Sequence, residues 1–405
     1  MNTKIEAGAH GPGRGAVVAV ALGLFACETP ADDPSLVVRR DSAGVEIVEA
    51  LRPAWGDADG WRIDPEPIVD LAMSGSGPTH EFARVLGMAR LSDGSIAVAD
   101  GVMDELRLYA PDGGFVGSAG RAGEGPGEFS GGMYEMVMAA GDTLWVRDWG
   151  RRVSMFAPDL TPVRTFGLTS PISGIHDLED GTMIVGFHLP FGEGSDVDGL
   201  IQTPTALWRF DLEGNRLDSI GGTDGYTDYV RESSRGGVMS IATLFPVKAQ
   251  VATHGGMLFV GNADVMDVEE RTAAGDLARI LRVRDYDLGL SAAELRAERD
   301  DFLGDNPSAL LQEVAERTPA SGKRPAYADM IVDPAGAIWL QRFRGDSEMD
   351  KPDRWLVLNA DGVWLGSVEV PERFQILDIE TDAVLGVWRD ELNVPHPQAL
   401  PLHRN

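Results

Sequence analysis

The sequence predicts an all-β chain, a six-bladed β-propeller of four-stranded antiparallel blades, on three observations. A two-hairpin unit recurs about six times between residues 83 and 403, most clearly over 91–129 as LSDGSIAVAD, ELRLYAPDGGFVGSAG and RAGEGPGEF. Its turns keep register from copy to copy. The last copy lacks one strand, and a stretch near the start of the chain can supply it.

The first turn of each copy falls at Asp93-Gly94, Gly141-Asp142, Asp180-Gly181, Gly255-Gly256 and Ala335-Gly336. Each precedes a strand rich in β-branched or large apolar residues: SIAVAD, TLWVRD, TMIVGF, MLFVGN and AIWLQR. The second turn falls at Asp112-Gly113, Pro158-Asp159, Glu213-Gly214, Ala274-Gly275 and Asp361-Gly362. Gly and Asp recur because tight hairpin turns need positive φ or a local side-chain hydrogen bond. The sixth copy reads FQILDIE, VLGVWRDELNV and PQALPL; residues 61–73 (WRIDPEPIVDLAM) are placed to close the ring as its fourth strand. Near 288–320 the pattern changes to helical spacing, with Ser291 as N-cap and Glu294 completing a capping box.

The 405 residues carry a net charge of −29, with acids spread along the whole chain, and this excludes a nucleic-acid partner, which needs a basic patch. A single cysteine, Cys27, excludes an intrachain disulfide. Residues 16–26 (AVVAVALGLFA), behind Lys4 and Arg14, are too short to span a bilayer and fit a signal-peptide core. The chain therefore divides into a signal peptide over 1–27, a tether over 28–40 and the propeller over 41–405. No HExxH or GxSxG occurs, which disfavours zinc hydrolysis and an α/β-hydrolase elbow. Gly120, Gly123 and Gly125 superficially match a dinucleotide loop, but Pro126 and a strand follow where a helix would have to start. Trp145, Trp208, Trp339, Trp355, Trp364 and Trp388 fall on strands and read as packing residues.

The end of the apolar stretch, Leu24-Phe25-Ala26-Cys27, resembles the lipobox of bacterial lipoproteins. That resemblance implies an acylated Cys27 as the mature N-terminus, a membrane partner through the lipid and, with Glu28 next, the outer membrane. RRDSAGVEIVEA (39–50), GRAGEGPGEF (120–129) and YADMIVDPAGAIWLQRF (327–343) resemble the six-bladed β-propeller lipoproteins of bacteria, relatives of the NHL-repeat propellers. The resemblance implies a fold rather than an activity: such propellers include calcium-dependent lactonases and lyases as well as pure binding platforms.

Aligned by the repeats, the residues ending each second strand are Asp100, Asp148, Phe187 with His188, Asn262, Arg342 and Arg389. They are expected to ring the mouth of the central channel. Arg342 and Arg389 would then receive a small anionic or polar ligand. Asp100, Asp148 and Asn262 would serve as acceptors, or as oxygen ligands if a cation such as calcium is held. Insertions at 189–204, 221–246 and 285–324 suggest a partial lid over that face, open to a protein partner. Asp196 and Asp198 hint weakly at a calcium loop. Two functions remain open: a lipid-anchored binding or scaffolding propeller, and a metal-assisted hydrolase or lyase with His188 as its acid or base. Replacing Cys27 with Ser is expected to release the protein from membranes, because acyl chains supply the strong bilayer affinity. Membrane fractionation of that variant decides it, and unchanged retention would count against acylation.

Overall fold

The computed structural model describes residues 33–404 apart from 57–59, 169–171, 189–198, 233–237, 319–321, 346–347 and 349–350. The signal peptide, Cys27, most of the tether and the Asp196–Asp198 pair lie outside the described residues.

Six antiparallel sheets follow one another along the chain. The first contains Val85–Arg90, Ile96–Asp100, Glu105–Tyr109 and Phe115–Ala119. The second contains Met133–Ala139, Thr143–Asp148, Arg152–Phe156 and Pro162–Gly167. In the third, Ile172–Asp177 and Thr182–His188 precede two long strands, Gly199–Asp211 and Arg216–Glu232, and Val238–Ala242 adds a fifth. The fourth contains Gln250–His254, Met257–Gly261, Asp267–Thr272 and Leu277–Val283, and the fifth Asp329–Val332, Ile338–Gln341, Arg354–Leu358 and Trp364–Glu369. The sixth contains Phe374–Ile379, Ala383–Arg389 and Pro395–His403.

The first strand of each sheet packs beside the first strand of the next, and that of the sixth packs beside that of the first. Apolar clusters fill the gaps between neighbours. Ala97, Leu106, Leu144 and Phe156 join the first two sheets, and Trp145, Val153, Ile175 and Val185 join the second to the third. Further clusters join the third to the fourth, the fourth to the fifth, the fifth to the sixth and the sixth to the first. The second strands are buried on both faces, which is why IAVAD and IWLQ read as continuous apolar runs. Trp145, Trp339 and Trp355 are buried as the sequence implies, whereas Trp149 is 60% exposed.

Residues near the start complete the sixth sheet. Arg62–Ile63 pairs with His403 and Leu402, and Val69–Asp70 pairs with Ala399 and Gln398. Trp61 lies between Trp55 and Trp339, its ring 5.3 and 5.5 Å from theirs, with the Arg404 guanidinium 4.5 Å above it. The tether boundary requires correction. A strand begins at Val37, and Val37–Ser42 forms a hairpin with Val45–Ala50, which joins Leu277–Val283 in parallel. Leu36 and Val37 are buried, so residues 36–40 belong to the folded domain.

Two helices occupy the insertion at 285–324, α1 (Ala292–Leu303) and α2 (Ala309–Arg317). The Ser291–Glu294 capping box is present in both directions. Glu313 of α2 accepts hydrogen bonds from Tyr229 and Arg231, tying the helix to the long strand of the third sheet. Deleting the residues before Arg84 removes every strand paired with the last one at 62–63 and 69–70. Loss of the cooperative melt, followed by calorimetry, is the expected outcome; a truncated protein that melts like the full chain would contradict it.

Candidate functional site

The predicted ring of strand-end residues divides into two kinds. Asp100 and Asp148 are almost fully buried, and backbone amides occupy their carboxylates. Asp100 accepts from the N–H groups of Ala83 (3.0 Å), Arg84 (3.3 Å) and Val102 (3.1 Å). Asp148 accepts from the N–H groups of Ser130 (2.8 Å) and Arg152 (2.9 Å) and from Arg152 Nε (2.9 Å). Arg152 also donates to the carbonyls of Gly123, Glu124 and Glu128, so the glycine-rich loop is clamped onto Asp148. Within that loop Glu128 accepts from the Gly125 N–H at 2.8 Å, and the loop encloses its own carboxylate.

The other predicted residues are dispersed. Asn262 Oδ1 accepts from the Asp224 N–H at 3.1 Å, linking the third and fourth sheets. Arg342 pairs with Glu348 at 3.2 Å and, with Arg354, lines a cavity of about 220 Å³. The Arg389 N–H donates to the Arg373 carbonyl. The His188 ring meets Tyr226 edge-on at 5.1 Å, and its Nδ1 is buried with no hydrogen-bond partner among the described residues. Burial, and secondarily the Arg147 and Lys248 charges, push its pKa down.

A larger cavity, about 740 Å³, runs along the axis between the innermost strands. It reaches the first turns of the repeats, at Asp142, Glu179, His254, Pro334 and Glu380. None of the six predicted residues lines it. The register gives the reason: Asp100 pairs with Val85 and Asp148 with Met133, the opening residues of the first strands, at the opposite end from those turns.

The residues that do line it lie within first strands: Glu135 in MYEMVMA, His176 in ISGIHD, Asp329 in DMIV and Asp378 in FQILDI. Each is a polar interruption of an apolar strand, the signal in the sequence that could have identified them. Glu135 Oε2 pairs with Arg147 Nε at 2.8 Å, and the Arg147 guanidinium lies 4.0 Å over the Tyr134 ring. Gly174 leaves the space where Glu135 and His176 approach: a Cβ there would lie 3.6 Å from Glu135 Oε1 and 3.2 Å from His176 Nε2.

Electrostatically the cavity is acidic and poorly solvated. Enclosure raises the pKa of Glu135 despite the Arg147 charge, and also that of Asp329. The same effect, with Arg147 nearby, lowers His176 to about 4 and keeps it neutral. Asp378 is pushed up to about 7, first by enclosure and then by the Glu380 charge. Its Oδ1 accepts from the Ile379 N–H at 2.9 Å. Among the described residues no group of three or more His, Cys, Asp or Glu is arranged to hold a metal ion.

No protein-family model matches the sequence, and no curated protein matches it. The structure is similar to that of a Bacteroides fragilis protein described as exported, with a TM-score of 0.51, 12% identity and coverage of 88% of this chain and 99% of that one. A member of the DUF4221 family from Bacteroides vulgatus has a TM-score of 0.51 at 9% identity, over 86% and 99% of the two chains. A gluconolactonase from Xanthomonas campestris has a TM-score of 0.42 at 14% identity, over 87% and 99%. At these identities the likeness shows the fold alone, a mostly β arrangement of the propeller type.

The Asp378 shift predicts a pH dependence. Between the ordinary carboxyl value of 3.8 and about 7 the folded state holds a proton that the unfolded chain has released, so stability falls as pH rises through that window. The advantage of Asp378→Asn, which mimics the protonated acid, over the parent is therefore expected to grow from pH 5 to pH 8, where it melts a few degrees higher, at roughly 2–4 °C per kcal/mol. Equal differences at the two pH values in thermal melts would contradict the assignment.

Proposed function

We propose that the protein is an extracytoplasmic, lipid-anchored binding propeller of six blades whose ligand, or a side chain of a protein partner, seats in the axial cavity. The reading is carried by one observation: a cavity of about 740 Å³ lined by residues of all six innermost strands. Six sheets whose first strands succeed one another, the last beside the first, support the count of six blades. Residues 62–63 and 69–70 supply the missing outer strand. The apolar core at 16–26 and Cys27 support export and anchoring, and a protein of similar fold is described as exported.

The cavity favours a positively charged or polyhydroxylated group over the anion suggested by Arg342 and Arg389. Glu135, Asp177, Asp329, Asp378 and Glu380 line it, and among the described residues no Lys or Arg does. Carboxylates held high by enclosure gain most from a cation that restores their charge. The metal-assisted hydrolase reading loses its donors, because Asp100 and Asp148 are engaged by amides.

Calorimetric titration of the full chain with 1,4-diaminobutane and with succinate tests this reading. Saturable one-site binding of the diamine is expected, weakened about tenfold or more by Asp329→Asn together with Asp378→Asn, since each lost charged hydrogen bond removes about 1.5–3 kcal/mol. Binding of succinate instead, or diamine binding that ignores both substitutions, would reject it.

A further inference from the structure

The cavity of about 220 Å³ beside Arg342 shares no residue with the axial one. The fifth sheet builds one of its walls. Leu340 lies opposite Leu356, and Leu356 opposite Ser367, so the three side chains share a face. Two positions along that face stand Arg342 and Arg354. The Arg342 N–H donates to the Arg354 carbonyl at 2.8 Å, which sets the two residues directly across from each other. Met266, Tyr286 and Ala326 close the cavity from the other side, and the Tyr286 ring is held edge-on against Trp364 at 6.0 Å.

Like charges directly across a strand pair repel. Here no acid stands between them, since among the described residues no Asp or Glu lines the cavity. Each arginine meets its acid through one nitrogen: Arg342 Nη2 lies 3.2 Å from Glu348, and Arg354 Nη2 lies 3.3 Å from Glu369. Glu348 is shared with Arg324 and Lys351. The Arg354–Glu369 pair is more than half exposed on both sides, where an ion pair contributes little. A guanidinium has five N–H donors, so each arginine keeps donors for the cavity, and the Tyr286 and Ser367 hydroxyls add two more. Enclosure raises the pKa of Tyr286 and outweighs the nearby Arg342 and Arg324 charges, so its phenol stays a donor. In a chain of net charge −29, a cavity lined by donors without acids is the exception.

We propose that this cavity binds a phosphate group, as the free ion or as the head of a phosphate ester, with its oxygens on Arg342, Arg354, Tyr286 and Ser367. Guanidinium forks match phosphate oxygens in pairs, and hydroxyls take those that remain. The size agrees: sites for whole organic molecules span about 300–1,000 Å³, and this smaller one holds a head group. Buried Met266, Leu340 and Leu356 keep water from beneath the charges, which strengthens their attraction for an anion. Arg342 thus keeps the anionic ligand that its place in the repeat suggests, with Arg354 rather than Arg389 beside it.

Calorimetric titration of the full-length protein with inorganic phosphate, glycerol 3-phosphate and acetate, at constant ionic strength, tests the site. One saturable phosphate site is expected, weakened about tenfold or more by Arg342→Gln and by Arg354→Gln, with acetate bound far more weakly. Tighter binding of glycerol 3-phosphate than of phosphate would identify an ester as the ligand, and equal or weaker binding the free ion. Ser367→Leu, which narrows the cavity from an exposed position, is expected to abolish phosphate binding while preserving the cooperative melt. That variant decides the question if an arginine variant fails to fold. Absence of phosphate binding, phosphate binding unchanged in the arginine or Ser367 variants, or acetate binding as tight as phosphate would overturn the proposal.

Discussion

Carboxylates that accept backbone amides at strand ends are the constraint on which the rest of the structure depends. Sheets of four short strands leave many loop N–H groups buried, and each must find a partner. One aspartate can satisfy two or three of them with charge-assisted bonds. Asp100 does so for the entry to the first sheet, and Asp148 for the entry to the second. Others cross between sheets: Asp104 accepts from the Met133 N–H, Asp142 from the Ser92 N–H, Asp177 from the Ala140 N–H and Glu179 from the Gly255 N–H. These bonds set the spacing of the sheets, and the apolar clusters fill the gaps they leave. Part of the large acidic excess is therefore architectural.

That economy separates the two ends of the molecule. At the end where second strands terminate, the acids face inward to amides and the insertions build additional structure. At the other end the axial cavity opens among the first turns, where Asp142, Asp177 and Glu179 also hold amides of neighbouring sheets, while Asp378 within its strand is held, among the described residues, only by the next N–H. The Arg90 guanidinium illustrates the difference: it pairs with both Asp382 and Glu380 beside the cavity, yet Asp378 next to them stays raised. Neutralisation there is incomplete, and charge remains for a ligand to meet.

Much of the architecture was legible in the sequence because turn chemistry is local. Gly94 and Gly113 adopt φ values of 87° and 86°, conformations that L side chains rarely adopt, so their positions marked the hairpins directly. The Ser291–Glu294 box was equally visible, its partners lying three residues apart. The site was less legible. Repeat alignment correctly identified Asp100 and Asp148 as equivalent, but their partners are backbone amides, which have no sequence identity. A conspicuous aspartate at a strand end therefore resembled a ligand-binding residue. Conversely, Glu135, Asp329 and Asp378 interrupt apolar strands, and only the arrangement of the innermost strands shows that they share a cavity. The N-terminal hairpin was missed because its parallel partner, Leu277–Val283, lies more than two hundred positions away.

The early residues form a belt. Val45–Ala50 joins the fourth sheet, Ala54 and Trp55 donate to carbonyls of Trp364 and Leu365 in the fifth, and Asp70 accepts from Gln398 of the sixth, 328 positions distant. Arg62–Ile63 and Val69–Asp70 thus have no strand partner until the last strand, Pro395–His403, has been made. Assembly has to wait for the complete chain, and the loop-closure entropy is met late. The same belt, once fastened, holds the fourth, fifth and sixth sheets against peeling from the N-terminal side.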